Sequence, residues 1–162
     1  KRRLPPIGVL IETPAAALIS DILAKHCDFF AIGTNDLVMY TLAIDRGDDN
    51  VAYIYDPAHL SVLKLIRMSK ESAERNNIPI SVCGEMAGDS LFSSFLIGLG
   101  IDTLSMSTSR ILRLKQFIQN LNFSDASKLC DKIFKDSNYG MTKNILREFS
   151  KKVNKQIGGK KW

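Results

Sequence analysis

Three short apolar runs in this sequence each end in a side chain that can do chemistry. Glu12 follows the first run, Asn35 and Asp36 follow the second, and Cys83 closes the third. In parallel α/β proteins, the reacting groups gather where the buried strands end. The pattern therefore predicts an active site built from strand ends.

Two of these residues, Glu12 and Asp36, are carboxylates that close successive runs. If the strands are parallel, both side chains reach one cleft, and such a pair suits Mg²⁺, which keeps waters and accepts substrate oxygens as further ligands. Asn35 adds a neutral donor beside them. Taken singly, Glu12 is equally consistent with a solvated strand end and Asp36 with a turn cap, but the pair favours a metal site.

Two further residues suggest substrate chemistry. Arg46 lies in a polar insertion, where its guanidinium would clamp a phosphate or carboxylate with two hydrogen bonds, although a single arginine is often only a surface charge. Cys83 ends a strand with Glu85 nearby and would donate a proton, or it is an inert core thiol. The three cysteines have no metal-ligand spacing and an odd count, which predicts reduced thiols, with structural roles for Cys27 and Cys130.

The elements that must position these groups follow from hydrophobic periodicity. Strands are predicted at 7–11, 29–32, 79–82 and 101–105, each followed by a helical segment, which gives four βα units. The helices are predicted at about 14–26, 57–76, 89–98 and from about 107. Beyond residue 120 the pattern contains two helices and no strand: a short helix capped by Ser124 and a last helix with an apolar stripe.

Length and composition limit the class of protein. The 162 residues are 45% hydrophobic and 24% charged, enough for one globular unit with a core. No apolar stretch approaches the roughly 20 residues of a membrane span, so a cytoplasmic protein without membrane contact is expected. The net charge of +5 comes from basic C-terminal helices with little aromatic interleaving, which argues against nucleic-acid binding. The absence of an initial methionine predicts a piece of a longer protein.

Five motifs occur in a fixed order along the first two thirds of the chain. They are Gly8–Ala17, Phe29–Leu37, Tyr40–Arg46, Cys83–Asp89 and Gly98–Ser107. Together they resemble the C-terminal domain of Enzyme I, the phosphoenolpyruvate-protein phosphotransferase of the bacterial phosphotransferase system, in its sugar or nitrogen-regulatory form. The resemblance covers residues 5 to about 120.

This resemblance implies the fold and the roles of the site residues. It implies that 1–120 is the second half, strands five to eight, of a TIM (β/α)₈ barrel that binds phosphoenolpyruvate, that 121–157 are C-terminal helices, and that 158–162 are a frayed end. The implied roles are Mg²⁺ ligation by Glu12 and Asp36, binding of the substrate phosphate by Asn35 and Arg46, and protonation of the enolpyruvate carbon by Cys83.

The same resemblance implies partners. The phosphoryl group would pass from phosphoenolpyruvate to a histidine on another domain and then to a histidine-containing phosphocarrier protein, with release of pyruvate, and the enzyme would be a homodimer. Because neither His26 nor His59 matches the acceptor and the first half-barrel is missing, the chain alone is expected to be inactive. After Ser107, relatives commonly have a proline-containing segment where this chain has the residues 110–115.

Three alternatives stay open at this stage. Pyruvate phosphate dikinase and phosphoenolpyruvate synthase share the barrel and its cysteine. A Mg²⁺-dependent lyase acting on pyruvate enolates would use Glu12 and Asp36 but would not need Cys83. A non-catalytic oligomerisation module would use none of these side chains.

Overall fold

A computed structural model describes residues 4–45, 47–48, 50–135 and 139–158. Four strands form one parallel sheet in the order β1, β2, β3, β4. The strands are β1 (Gly8–Ile11), β2 (Phe29–Gly33), β3 (Ile80–Cys83) and β4 (Thr103–Ser105). Because all four run in the same direction, their carboxyl ends lie at one edge of the sheet, as the sequence predicted.

Eight α-helices follow or flank these strands within the described ranges. They are α1 (Pro14–Leu18), α2 (Ser20–Leu23), α3 (Thr34–Leu42), α4 (Leu60–Arg75), α5 (Ser90–Gly98), α6 (Thr108–Ile118), α7 (Phe123–Lys135) and α8 (Thr142–Gly158). Short 3₁₀ turns occupy Ala52–Ile54, Met86–Gly88 and Tyr139–Met141. No helix in the described ranges is long and apolar enough to cross a membrane.

Local sequence explains where the first helices begin. The Thr13 hydroxyl accepts a hydrogen bond from the Ala16 amide at 3.2 Å, and Pro14 occupies the first helical position, where a missing N–H costs nothing. The predicted single helix over 14–26 is divided at Ile19, whose backbone leaves the helical region. Helix α5 begins in the same way, with the Asp89 carboxylate accepting from the Leu91 amide at 2.8 Å.

The core lies between the sheet and the helices. Ile11, Phe30, Ile32 and Val82 are fully buried on the strands, because parallel strands covered by helices need apolar side chains. Helix α4 buries the stripe that includes Leu63 on its inner face. The predicted strands and the alternation of strand and helix are thus confirmed.

The C-terminal helices are packed against α5 and share its core. A methyl group on Gly98 would lie 2.2 Å from the carbonyl oxygen of Ala126, so α5 and α7 touch backbone to backbone. The rings of Phe95 and Phe134 are 5.9 Å apart between centroids, and the Arg67 guanidinium of α4 lies 4.7 Å from the Phe134 ring. The α7 helix therefore contacts both α4 and α5.

The sheet is open in the part of the chain that the structure describes. β1 pairs only with β2, and β4 pairs only with β3. This is the α/β arrangement expected for four successive βα units, while closure into a barrel stays a prediction. The predicted frayed end falls mostly at 159–162, outside the described residues.

Candidate functional site

The sheet register brings the predicted strand-end residues to one edge. Gly33 is the partner of Cys83 across β2 and β3, and Cys83 is the partner of Ser105 across β3 and β4. Glu12 comes directly after Ile11, at the end of β1. Polar groups separated by more than 70 positions in sequence are therefore neighbours at this edge.

The Glu12 carboxylate lies over the end of β2. A methyl group on Gly33 would be 3.1 Å from its Oε2 atom and 3.2 Å from its Cβ atom, which is tighter than ordinary van der Waals contact. A glycine at this strand end therefore leaves room for the carboxylate. The side chain is half-buried.

Asn35 and Asp36 occupy the first turn of α3, a helix that the sequence reading did not anticipate. The Asp36 carboxylate lies near the positive end of the helix, where unsatisfied backbone amides make a negatively charged side chain favourable for the helix. The Asn35 Oδ1 atom accepts a hydrogen bond from the Glu85 amide at 3.2 Å, and the Thr34 hydroxyl donates to the Cys83 carbonyl at 2.9 Å. These two bonds join the loops that follow β2 and β3.

Gly84 is needed for this junction. Its φ of +108° is a conformation that L side chains rarely adopt. A methyl group here would also lie 2.6 Å from the Thr34 hydroxyl oxygen and 3.0 Å from Asn35 Oδ1. The glycine thus lets the chain turn away from β3 while the two loops stay hydrogen-bonded.

The Cys83 thiol lies between these groups. Its Sγ atom is 3.4 Å from the Ile32 carbonyl oxygen, and the residue is half-buried. Burial raises the pKa of this thiol above its ordinary value, and the negative charges of Glu12 and, more weakly, Asp36 raise it further. Both carboxylates are thus close enough to the thiol to act on its charge, and the raised pKa favours the protonated form of Cys83.

The other two cysteines have different surroundings. Cys130 is buried between α7 and α5, with its Sγ atom 3.3 Å from the Phe95 carbonyl oxygen, and burial raises its pKa to about 12. Burial also raises the pKa of the Cys27 thiol, where the nearby Asp28 adds a smaller effect. Each of these two thiols is affected by a single carboxylate, whereas Cys83 is affected by two, which follow the ends of neighbouring strands.

Arg46, the predicted phosphate ligand, lies outside the described residues. In the described ranges, no group of three or more His, Cys, Asp or Glu side chains is arranged to hold a metal ion. The candidate ligands there are the pair Glu12 and Asp36. Two protein carboxylates leave most coordination positions of a divalent cation to water and substrate.

A cavity of about 430 Å³ opens at this edge of the sheet, between the loops after β3 and β4. Its lining includes Asn35, Gly84, Glu85, Ser105, Ser107 and Arg110. The sequence reading did not single out Arg110 as a site residue. The available signal was its place five residues after a strand, in the region where parallel α/β proteins build their sites.

Similarity to known proteins identifies the family of this chain. The sequence matches the family described as "PEP-utilising enzyme, PEP-binding domain" over residues 2–123. Proteins named phosphoenolpyruvate-protein phosphotransferase are similar to it: 41% identical in Haemophilus influenzae, over 88% of this chain and 25% of that protein, and 46% identical in Buchnera aphidicola subsp. Acyrthosiphon pisum, over 78% and 22%. The relative in Mycoplasma genitalium is 38% identical over 91% of this chain and 26% of its own length.

The chain therefore spans about a quarter of the length of the curated relatives it matches. The family resemblance inferred from the five motifs is confirmed. With its strand-end carboxylates, amide and thiol gathered at one edge of a parallel sheet, this chain belongs to the family of PEP-utilising enzymes, whose PEP-binding domain it matches over residues 2–123.

Proposed function

We propose that this chain is part of a phosphoenolpyruvate-protein phosphotransferase that binds phosphoenolpyruvate and Mg²⁺ and supplies the proton that completes pyruvate. The observation that carries the proposal is the placement of the Cys83 thiol at a strand end, with the carboxylates Glu12 and Asp36 at the ends of the preceding two strands. A lyase that stops at the enolate has no use for such a thiol. A phosphotransferase that releases pyruvate needs one proton for each turnover.

The donor set fits Mg²⁺. Glu12 and Asp36 offer hard oxygen ligands, and both act electrostatically on the same thiol, which supports their convergence on one region. When bound there, the ion would neutralise negative charge on the substrate phosphate. The protein side chains would hold the ion, with Asn35 and Arg46 as the ligands proposed for the phosphate.

The proposed reaction has two steps, phosphoryl transfer and protonation of the enolate. The bond between phosphorus and the enol oxygen of phosphoenolpyruvate breaks, and a bond forms from phosphorus to a histidine nitrogen on another domain. The enolate left behind takes a proton at its methylene carbon from the Cys83 thiol, which gives pyruvate and a thiolate. Solvent then returns a proton to the thiolate, because the raised pKa of the thiol favours that direction at neutral pH.

The remaining parts of the enzyme belong to the same proposal. The acceptor histidine, the histidine-containing phosphocarrier protein, the homodimer and the cytoplasmic setting come from the family resemblance. Open apolar surface supports a missing half-barrel. Ile7, just before β1, is 66% exposed and Leu10, within β1, is 49% exposed, and an apolar groove of about 910 Å³ borders β4 and α6. A further four βα units seated there would cover both sheet edges.

Cys83→Ala in the full-length protein tests the proton donor. We expect pyruvate formation to fall by about 100-fold or more, while binding of phosphoenolpyruvate and Mg²⁺ changes by less than about threefold, since the thiol acts on carbon after the phosphate is held. Cys27→Ala is the matched control and should keep normal turnover. Normal pyruvate formation in a folded Cys83→Ala protein would contradict the proposed role.

Glu12→Gln tests the metal ligand. A neutral amide is a poorer ligand for a hard cation, so the Mg²⁺ concentration that gives half-maximal phosphorylation should rise by about tenfold. Titration of Mg²⁺ at saturating phosphoenolpyruvate measures this requirement. An unchanged requirement would remove Glu12 from the metal site.

A further inference from the structure

Arg110 lines the cavity at the strand ends. It lies in the first turn of α6, directly after the β4 loop, and shares the cavity with Asn35 and Ser105. Among the described residues that line this cavity, Arg110 is the one with a permanent positive charge and Glu85 the one with a negative charge. A guanidinium in this position presents donors to whatever anion enters the cavity.

The Cβ and Cγ atoms of Arg110, the stem of its side chain, lie close to Gly88. A methyl group on Gly88 would lie 3.2 Å from the Arg110 Cβ atom and 3.3 Å from its Cγ atom, and 3.1 Å from the Met106 Cβ atom. The absence of a side chain at Gly88 therefore lets the first two carbons of Arg110 rest against the loop after β3. Arg110 as a whole is exposed, so its guanidinium is accessible to an anion that enters the cavity.

Negative charge accumulates at this site when the substrate binds, and a cationic side chain would offset it. Glu12 and Asp36 are negative, and phosphoenolpyruvate carries both a phosphate and a carboxylate. Glu12 and Asp36, which would hold a divalent ion, follow β1 and β2, and such an ion would offset part of this repulsion. Arg110 stands on the other side of Cys83, since β4 is the next strand beyond β3.

We propose that Arg110 binds an anionic group of the substrate, its phosphate or its carboxylate, and is a specificity-determining residue of this site. The inference rests on the proposed function and extends it to the β4 side of the cavity. Arg110 forms a pair of hydrogen bonds to two oxygens of one anionic group. It thereby sets the affinity for phosphoenolpyruvate, while Cys83 delivers the proton.

The test uses Arg110→Gln and Arg110→Lys in the full-length protein. Loss of the guanidinium should raise KM for phosphoenolpyruvate by about 10- to 100-fold and change kcat less than about threefold, since one charge-assisted contact is removed. Lysine keeps the charge but not the fork, so it should recover only part of the affinity. Lys115 lies on the same helix but lines the apolar groove. Lys115→Gln is therefore the matched control and should leave KM unchanged.

A second variant tests position rather than charge. Gly88→Ala keeps the guanidinium but pushes the Arg110 stem outward, and it should raise KM by several-fold in a protein that unfolds at the normal temperature. An unchanged KM in Arg110→Gln would overturn the inference, whatever the result for Gly88→Ala.

Two competitive inhibitors distinguish the anionic groups. Inorganic phosphate should lose affinity in Arg110→Gln if Arg110 contacts the phosphate, and oxalate, a dicarboxylate, should lose affinity if it contacts the carboxylate; either result supports the inference. Equal inhibition of wild type and Arg110→Gln by both anions would overturn it. If the wild-type protein forms no pyruvate from phosphoenolpyruvate, the proposed function fails; if the wild type is active and Arg110→Gln behaves like it, only the role of Arg110 fails.

Discussion

Replacing Glu12 by glutamine should make the Cys83 thiol more reactive. The carboxylate is the largest electrostatic cause of the raised pKa of this thiol after burial, and Asp36 contributes less. Glutamine has nearly the same shape as glutamate, so access to the thiol is preserved while the negative charge is removed. The pKa of Cys83 should therefore fall, and more thiolate should be present at pH 8.

The size of the effect follows from two opposing trends. Below the pKa, each unit of decrease raises the thiolate fraction tenfold. The thiolate of a more acidic thiol is a weaker nucleophile, by about threefold per unit. The net gain in alkylation rate is about threefold per unit, and a single nearby charge on a partly buried group predicts an increase of between about twofold and tenfold.

Alkylation by iodoacetamide at pH 8 in the presence of EDTA measures this rate, with the three cysteines resolved by peptide mass spectrometry. Asp36→Asn should accelerate Cys83 by a smaller factor than Glu12→Gln. Glu71→Gln is the matched control, because Glu71 pairs with Arg67 at 2.6 Å on the helix surface. If neither strand-end variant accelerates Cys83, the carboxylates do not converge on the thiol and the reasoning about the site is refuted.

Two substitutions at close contacts give further predictions. Gly98→Ala gains about 1 kcal/mol of helix propensity but places a methyl group 2.2 Å from the backbone carbonyl of Ala126, and the forced separation of α5 and α7 should lower the free energy of unfolding by about 2 kcal/mol net, as measured by urea denaturation. A stabilised variant would show that the contact relaxes freely. Gly84→Ala, which is strained at φ +108° and meets the Thr34 hydroxyl, should displace Asn35 and weaken phosphoenolpyruvate binding by at least about tenfold in calorimetry, whereas unchanged affinity would show that the loops adapt.

Much of this architecture was predictable from the sequence because its signals are local. A buried parallel strand needs a run of apolar residues, so the strand ends at Glu12 and Cys83 could be located without a structure. Helix α5 was placed correctly because Asp89 is a strong cap and an apolar segment follows it. In the same way, the five motifs identified the family from a single sequence.

The parts that were missed depend on contacts distant in sequence. Helix α3 begins within a polar segment around Asn35 and Asp36 that reads equally well as a turn, and it forms because Leu37 and Val38 are buried in the core. The only local signal for Arg110 is its place shortly after a strand, since its relation to Gly88 exists only after β3 and β4 have paired. The close approach at Gly98 is likewise a property of two helices, which a single helix pattern does not contain.

The packing of α7 on α5 also has a consequence for biosynthesis. The ribosome releases the strands and α5 before α7, so the face of α5 around Phe95 and Gly98 has no cover until Phe134 has been made. Domains generally fold as units during synthesis, and apolar surface exposed in the meantime is prone to aggregation. The residues around Cys83 are therefore synthesised early. Helix α5, which follows the loop after Cys83, can pack against α7 only after α7 has been synthesised.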